Sequence, residues 1–334
     1  MVTFVATLVA PPGKQLLNPA MAQMVAKRLP KGEIAGWLSP NEAVDLSFEL
    51  DLALGPDGRL DDPSWRELHR YRSLIYVSLG SDRIVDVILQ PKDGRRKALF
   101  LADMDSTMIG QECIDELAAF AGLKQHVSEI TERAMRGEIA FEPALRERVA
   151  LLKGLPVSVV EDVLDKAITL TPGGTTLVVT MKANGAHTAL VSGGFTLFTE
   201  NVARRIGFHE HHSNVLVVED DKFAGLVTEP ILGREAKLAS LIALRDARGL
   251  KPSQTMAVGD GANDLAMLQA AGLGVAYHAK PAVAAAAHAR IEFGDLSALL
   301  FAQGYRREEF VEKARLNRRD RKQAARLRRQ HQSA

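Results

Sequence analysis

The chain has 334 residues, 46% of them hydrophobic and 25% charged, which is typical of a globular protein with two or three modules. No apolar run reaches the roughly 18 residues that a membrane-spanning helix needs, and the first residues lack the features of an export signal. We therefore expect a cytoplasmic protein without a membrane anchor. Cys113 is the only cysteine, which excludes an intrachain disulfide and fits a reducing compartment.

Residues 1–92 are predicted to form a small separate α+β module. Helix-like patterns occur in NPAMAQMVAKRL and LDDPSWRELHRYRS, and strand-like patterns occur in MVTFVATLVA, VDLSFELDLAL, IYVSLG and RIVDVILQ. A βαββαβ order resembles the ferredoxin-like ACT modules attached to several amino-acid enzymes. Amino-acid sensing, dimerisation and simple packing all stay open. We favour a structural or oligomeric role, with a homodimer as the assembly, because no ligand motif is visible.

Strands and helices alternate after the turn-rich linker QPKDGRRK. This alternation predicts an α/β core with a Rossmann-like, mostly parallel sheet, formed by residues 97–110 and 172–304. Residues 111–171 are helical in pattern and read as a cap inserted after the first core strand. We expect hinges of this cap near Gly110 and in residues 171–174. NVLVVEDDKFAGLVTEP is predicted to form a hairpin.

The loop DMDST follows an apolar strand and contains two carboxylates. Side chains two apart in an extended segment point the same way, so Asp103 and Asp105 are expected to face one cavity. Their repulsion would be relieved by Mg²⁺, which prefers oxygen ligands. A calcium-binding loop counted from Asp103 is excluded, because Met108 and Ile114 stand where that loop requires Gly and Glu.

Two further loops, SGGF and GDGAND, also follow apolar strands. Ligands of open parallel sheets bind beyond the carboxyl ends of the strands, so the three loops are expected to build one site. Taken alone, each signal is ordinary: Gly-Asp-Gly is a common turn, SGGF a strand-to-helix connection, and Lys237 a solvated helix residue. Their combination with Ser192, Asp260, Asn263 and Asp264, in this order, is what indicates an active site.

The motifs identify a resemblance to a known superfamily. DMDST resembles the Asp-x-Asp-x-Thr signature of the haloacid-dehalogenase-like phosphohydrolases, and VSGG, Lys237 and GDGANDLAM follow in that superfamily's order. The match is closer to the phosphoserine phosphatases over residues 95–300, through DMDSTMI, Glu112, FEPALRERVALLKGL and VSGGF. The resemblance implies a Mg²⁺-dependent hydrolase that converts O-phospho-L-serine to L-serine and phosphate, the last step of serine biosynthesis.

The catalytic roles are implied by this resemblance. Asp103 would be the nucleophile that forms an aspartyl-phosphate, and Asp105 the general acid and base. Mg²⁺ would be held by Asp103, by the backbone carbonyl of Asp105 and by Asp260. Asp264 would support a water ligand of the metal or orient Lys237.

The resemblance also implies the residues that bind substrate. The phosphate would be held by four groups: Ser192, the Gly193 N–H, Lys237 and Asn263.

The cap would select the amino-acid part of the substrate. Glu112 would pair with its ammonium group, and Arg148 would bind its carboxylate bidentately. Phe141, Leu145 and Arg148 share one helix face. Met135 is expected to line the pocket, although a methionine at helical spacing more often belongs to a core.

Alternative functions and features stay open. The aspartyl-phosphate could be intercepted by an alcohol, giving a phosphotransferase, or the substrate could be another phosphorylated amino acid such as phosphohomoserine. A non-enzymatic amino-acid-binding regulator is disfavoured, because none of the required side chains is missing. We interpret the histidines at 209, 211 and 212 as a surface connector and not as a metal site.

The C-terminal tail, residues 305–334, is basic. Residues 306–334 contain eleven Lys or Arg and four Asp or Glu, a local charge of +7, whereas the net charge of the chain is +1. Few aromatic residues follow Tyr305 and Phe310, so we expect a solvated tail and no nucleic-acid partner.

Overall fold

The computed structural model describes residues 1–80 and 84–312, except for the side chain of Met135. The strands in chain order are β1 (Val2–Val9), β2 (Glu33–Ser39), β3 (Ala43–Leu50), β4 (Asp86–Pro91), β5 (Leu99–Ala102), β6 (His187–Phe195), β7 (Glu210–Asn214), β8 (Leu216–Glu219), β9 (Lys222–Val227), β10 (Thr255–Gly259), β11 (Leu273–Tyr277) and β12 (Ala289–Ile291). The α-helices are α1 (Pro19–Ala26), α2 (Asp62–Leu79), α3 (Cys113–Phe120), α4 (Lys124–Met135), α5 (Phe141–Ala150), α6 (Val159–Lys166), α7 (Gly174–Ala183), α8 (Thr196–Ile206), α9 (Arg234–Asp246), α10 (Leu265–Ala270), α11 (Pro281–Ala286) and α12 (Ala298–Ala302).

The first four strands form an antiparallel sheet in the order β2-β3-β1-β4, with α1 and α2 in the chain order βαββαβ. The α+β character predicted for this module is confirmed. The strand predicted at IYVSLG is wrong, because these residues are the last part of α2. Leu68, Arg72, Ile75 and Leu79 are buried at helical spacing, so the amphipathic pattern of α2 continues through the β-branched residues.

The core is a six-stranded sheet in the order β12-β11-β10-β5-β6-β7. Every neighbouring pair is parallel, which confirms the predicted α/β fold. In β5, Phe100 and Ala102 pack in one hydrophobic cluster, whereas Leu99 and Leu101 pack in another. This alternation puts apolar side chains on both faces of the strand, which explains its continuous hydrophobic run.

Helices α3 to α6 follow β5 and form the inserted cap. Its two connections to the core run side by side. The Gly110 N–H donates to the carbonyl of Thr169 at 3.1 Å, and the Thr171 N–H donates to that of Met108 at 3.0 Å. The predicted hinges therefore lie in two chain segments that are hydrogen-bonded to each other. The predicted hairpin is confirmed as β8 and β9, and Phe223 of β9 exchanges backbone hydrogen bonds with the α5–α6 connection.

The N-terminal module contacts the core near β12. The buried carboxylate of Asp86 accepts backbone hydrogen bonds from Glu292, Phe293 and Gly294 at 2.7, 3.2 and 2.7 Å. The Gln90 side chain donates to the carbonyl of Ala302 at 2.7 Å. These contacts satisfy backbone groups of the core with side chains of the module, so they tie the two together.

Two sequence interpretations differ from the structure. The segment around His211 and His212 is not a connector, because it forms the edge strand β7. The sequence predicts a solvated tail from residue 305, but Tyr305 and Phe310 are buried and Arg307 forms an ion pair with Glu42. Residues 313–334 lie outside the described part of the chain. Among the helices of residues 1–80 and 84–312, none combines the length and apolar character needed to cross a bilayer.

Candidate active site

A cavity lies between the carboxyl ends of the core strands and the cap. It brings together eight of the residues predicted from the sequence: Asp103, Asp105, Glu112, Phe141, Arg148, Ser192, Gly193 and Asn263. Of the other predicted residues, Lys237, Asp260 and Asp264 are buried. Lys237 contacts Asp103, which lines the cavity, and Asp264 contacts Lys237. Asp260 is hydrogen-bonded to Thr107, in the same loop as Asp103.

Asp103 lies at the end of β5, and its backbone N–H donates to the carbonyl of Val258 in β10 at 3.0 Å. Its Oδ1 accepts a hydrogen bond from the Met104 N–H at 2.8 Å and lies 2.7 Å from Lys237 Nζ. Among the described residues, Oδ2 has no hydrogen-bond partner. The carboxylate is thus held by one oxygen, and the other is available to a ligand.

Asp105 follows Asp103 on a turn in which Ser106 has a positive φ of 53°. Its Oδ1 accepts a hydrogen bond from the Cys113 N–H at 3.1 Å, which ties the turn to the start of α3. Its Oδ2 lies against Gly194, where an added Cβ would be only 2.7 Å away. Burial raises the pKa of Asp105, so this carboxyl keeps its proton more readily than an exposed one.

Three buried carboxylates lie beside each other at the base of the cavity. In the described parts of the chain, Asp103, Asp260 and Asp264 are the one group of three or more His, Cys, Asp or Glu side chains whose ligand atoms approach within 4.8 Å. Thr107 donates to Asp260 Oδ1 at 2.9 Å. Burial, together with repulsion from Asp264, raises the pKa of Asp260 to about 7 and that of Asp103 well above its usual range.

Lys237, in the first turn of α9, is the buried cation of this group. Its Nζ lies 2.7 Å from Oδ1 of both Asp103 and Asp264. Burial alone would lower its pKa, but the two carboxylates raise it above its usual value. Asp264 Oδ2 also accepts the backbone N–H groups of Asp260 and Gly261, at 3.2 and 3.1 Å. Asp264 therefore orients Lys237 and the GDGAND loop together.

The donor set fits a hard divalent cation. The ligand atoms of the three acids are all carboxylate oxygens, the type that Mg²⁺ prefers. One lysine cannot balance these three buried charges, and burial together with neighbouring acids raises the pKa of Asp103 and of Asp260. A cation would relieve that repulsion. The buried Oδ1 of Asn263 also lacks a hydrogen-bond partner in the described residues, which is consistent with a ligand at this end of the cavity.

The SGGF loop forms the opposite wall. Ser192 is fully buried, and its hydroxyl accepts a hydrogen bond from the Gly194 N–H at 2.9 Å. The carbonyl of Gly193 accepts from the side chain of Asn214 at 2.8 Å, which fixes the loop. The Phe141 ring from the cap lies so close to Gly193 that an added Cβ would be 2.6 Å from its Cζ. The contact between cap and core therefore needs glycine at this position.

The cap contributes one acidic and one basic side chain. Glu112 accepts a hydrogen bond from Ser106 at 2.6 Å, and burial together with Asp105 raises its pKa well above the usual value. Arg148 is only 4% exposed, and its Nη1 donates to the Thr131 hydroxyl at 2.8 Å. Leu145 also lines the cavity. The prediction for Met135 stays untested, since its side chain is not described.

A family model for haloacid dehalogenase-like hydrolases matches residues 100–269, about half of the chain. The chain is a haloacid dehalogenase-like hydrolase. The resemblance inferred from the motifs is thereby confirmed.

This haloacid dehalogenase-like hydrolase has curated relatives named phosphoserine phosphatase. The one from Streptomyces coelicolor is 44% identical over 233 residues, which cover 70% of this chain and 56% of the relative. The chain therefore spans about half the length of that relative.

Two solved structures are similar to the same hydrolase. One is a phospho-aspartyl intermediate analogue of phosphoserine phosphatase, and the other is a substrate-bound phosphoserine phosphatase complex. Each is 39% identical to this chain, with a TM-score of 0.59, and the match covers 62% of this chain and 98% of the solved one.

Three side chains that form hydrogen bonds at the site of this hydrolase were not predicted from the sequence. Thr107 could have been found, because it is the last residue of the DMDST motif and hydrogen-bonds to Asp260. Asp115 and Thr131 carry no motif signal, since they lie on different cap helices and meet only in the folded protein.

Proposed function

We propose that this hydrolase is a phosphoserine phosphatase, which converts O-phospho-L-serine to L-serine and phosphate as the last step of serine biosynthesis. The observation that carries the proposal is the cavity itself. One available carboxylate oxygen of Asp103 and the carboxyl of Asp105 face the same space as a half-buried Glu112 and a buried Arg148. The names of the relatives and of the similar solved structures support the same substrate.

The first chemical step is in-line attack on phosphorus. Asp103 Oδ2 forms a bond to phosphorus as the bond from phosphorus to the serine oxygen breaks. Lys237 holds the other oxygen of Asp103, so the nucleophile cannot rotate away from the substrate. Asp105 donates a proton to the departing serine oxygen, a role that suits a carboxyl whose pKa is raised by burial.

The second step returns the enzyme to its starting state. A water molecule attacks the phosphorus of the aspartyl-phosphate, and Asp105 accepts the water proton. The bond from phosphorus to Asp103 breaks and phosphate leaves. Asp105 thus carries one proton between two half-reactions, and no other proton donor is required.

Mg²⁺ would be held by the Asp103 carboxylate, by the Asp260 carboxylate and by the backbone carbonyl of Asp105. Asp264 would lie outside these direct ligands. When bound, the cation would offset the negative charge of the carboxylates and of the phosphoryl group. The chain's own contribution is to position these oxygens, through Thr107 on Asp260 and backbone N–H groups on Asp264.

The remaining groups recognise the substrate. Ser192, the Gly193 N–H and the Asn263 amide bind phosphate oxygens, while Lys237 adds positive charge behind Asp103. Glu112 pairs with the ammonium group and Arg148 with the carboxylate. Phe141 closes the cavity against Gly193 and excludes water.

The decisive experiment measures phosphate release from a panel of small phosphoesters, with Mg²⁺ and then with excess EDTA. We expect phosphoserine to have the highest kcat/KM and EDTA to abolish turnover, with recovery when Mg²⁺ is restored. Equal rates across the panel would contradict the assigned substrate. Full activity in EDTA would contradict the assigned metal site.

We also infer a homodimer in the cytoplasm. Strand β2 is an outer edge of the N-terminal sheet and offers backbone groups to a second copy. Light scattering of the purified chain tests the dimer, and a monomeric mass at micromolar concentration would contradict it. Fractionation of the source cells tests the compartment.

A further inference from the structure

Three cap helices meet at a short chain of hydrogen bonds. The Thr131 hydroxyl of α4 donates to Oδ1 of Asp115 in α3 at 2.7 Å. Arg148 of α5 donates from Nη1 to the oxygen of that hydroxyl at 2.8 Å. The three side chains are 8%, 2% and 4% exposed for Asp115, Thr131 and Arg148. We call Asp115, Thr131 and Arg148 the cap relay.

The relay supplies one of the two hydrogen bonds that orient Arg148. In residues 1–80 and 84–312, no carboxylate lies within ion-pair distance of its guanidinium group. Its Nε donates to the carbonyl of Ala144 one turn earlier at 3.0 Å, and Nη1 donates to Thr131. Nη2 has no hydrogen-bond partner among the described residues, and Arg148 lines the cavity. The unused donor is therefore the one that can reach a ligand.

The direction of the hydrogen bonds explains how Asp115 acts at a distance. A hydroxyl has one proton to donate and lone pairs to accept with. At 2.7 Å the Asp115 carboxylate is a closer acceptor for that proton than the Val127 carbonyl at 3.0 Å. The proton therefore points to Asp115, and a lone pair of Thr131 is left facing Arg148. Charge-assisted hydrogen bonds of this kind strengthen one another.

We propose that Asp115 and Thr131 are positioning residues that set Arg148 for the substrate carboxylate, and so determine amino-acid specificity without touching the substrate's reacting atoms. The inference rests on the proposed phosphoserine phosphatase function and deepens it.

The test compares two substrates that differ in a single group. O-phosphoethanolamine has the phosphate and ammonium groups of phosphoserine but lacks the carboxylate. Thr131→Val keeps the shape of the side chain and removes the hydroxyl. We expect kcat/KM for phosphoserine to fall about 10-fold or more, mainly through KM, and kcat/KM for phosphoethanolamine to change less than about 2-fold.

Two variants separate positioning from folding. Ser128→Ala removes the other hydroxyl bound to Asp115, at 2.7 Å from its Oδ2, without touching Arg148. It should lower thermal stability about as much as Thr131→Val and leave the ratio of the two substrates unchanged. Thr131→Ser, unlike Thr131→Val, keeps the hydroxyl and should keep the wild-type preference for phosphoserine.

Each contrary result has a distinct meaning. Equal losses on both substrates in Thr131→Val, or a wild-type ratio in that variant, would overturn the relay alone. A wild-type enzyme that does not prefer phosphoserine over phosphoethanolamine would overturn the proposed function and the relay with it.

Discussion

Lys237 Nζ lies 2.7 Å from Asp103 Oδ1, and the two side chains are 0% and 7% exposed. The ammonium group of this buried lysine contacts one oxygen of the carboxylate, and the other oxygen is available to a ligand in the cavity. The same ammonium group contacts Asp264 at 2.7 Å, so its loss would leave two buried carboxylates without their cation. This relationship makes Lys237 a part of both the reaction and the stability of the site.

We expect Lys237→Met to lower kcat for phosphoserine by about 100-fold or more, because the nucleophile loses its positioning and the phosphate loses a positive charge. The melting temperature without metal should also fall. Steady-state kinetics and thermal melts measure both effects. The exposed Lys27 provides the control, since Lys27→Met should change neither. Wild-type kcat in Lys237→Met would contradict the assignment.

Asp103→Asn should abolish phosphoserine turnover without unfolding the protein. An amide is a poor nucleophile, so no phosphoryl intermediate should accumulate. Burial and repulsion by Asp264 raise the pKa of Asp103, so its charge is unfavourable without metal. The melting temperature of the variant in EDTA should therefore be no lower than that of the wild type. Near-normal turnover would exclude Asp103 as the nucleophile.

Arg148→Ala should reduce phosphoserine turnover much more than that of p-nitrophenyl phosphate, which has no carboxylate to bind. A loss of about 100-fold in kcat/KM for phosphoserine is expected from removing a charged hydrogen-bond donor. Arg146 is the matched control on the same helix, because it is exposed and pairs with Glu142 and Glu229. If both substrates lose equally in Arg148→Ala, the specificity role is wrong.

Gly193→Ala should raise KM, because the added methyl group would lie 2.6 Å from the Phe141 ring and hold the cap away from the core. Phe141→Leu removes the ring and should relieve this clash. In the double variant the effects should not add, and kcat/KM should exceed that of Gly193→Ala alone. Strict additivity of the two changes would show that the cap does not close on Gly193.

Stability should fall as the pH decreases below about 6.5, partly through His288. Burial, followed by repulsion from Arg59, lowers the pKa of His288 to about 3, and its Nδ1 accepts the Gly274 N–H at 3.0 Å. The unfolded chain takes up this proton below about 6.5, whereas the folded one does not until about 3. Stability is therefore lost between these values. The free energy of unfolding should fall by roughly 2 kcal/mol between pH 7 and pH 5.

Urea unfolding at pH 7 and pH 5 measures this effect. His288→Gln should show a smaller decrease than the wild type, because glutamine can still accept from Gly274 and does not titrate. The exposed His126 is the control, and His126→Gln should follow the wild type. An equal decrease in the wild type and His288→Gln would show that other groups carry the acid sensitivity.

Local patterns in the sequence predicted most of the elements, and failed where two patterns overlapped. The residues IYVSLG have the β-branched and aromatic composition of a strand, yet they continue α2, because Ile75 and Leu79 extend the buried face set by Leu68 and Arg72. The FHEHH segment has no apolar pattern, so its place as the edge strand β7 could not be read from periodicity. Pairing with β6 decided it.

The sequence by itself determined the chemistry at the strand ends, because the DMDST, SGGF and GDGAND motifs carry their side chains at short, local spacing. Parallel strands place those ends at one edge, so the meeting of Asp103 with Asp260 followed from the order of the motifs. The cap contacts were decided only by the tertiary structure. Asp115, Thr131 and Arg148 are separated by 16 and 17 residues along the chain. No local pattern links them, since their contact depends on how three amphipathic helices pack.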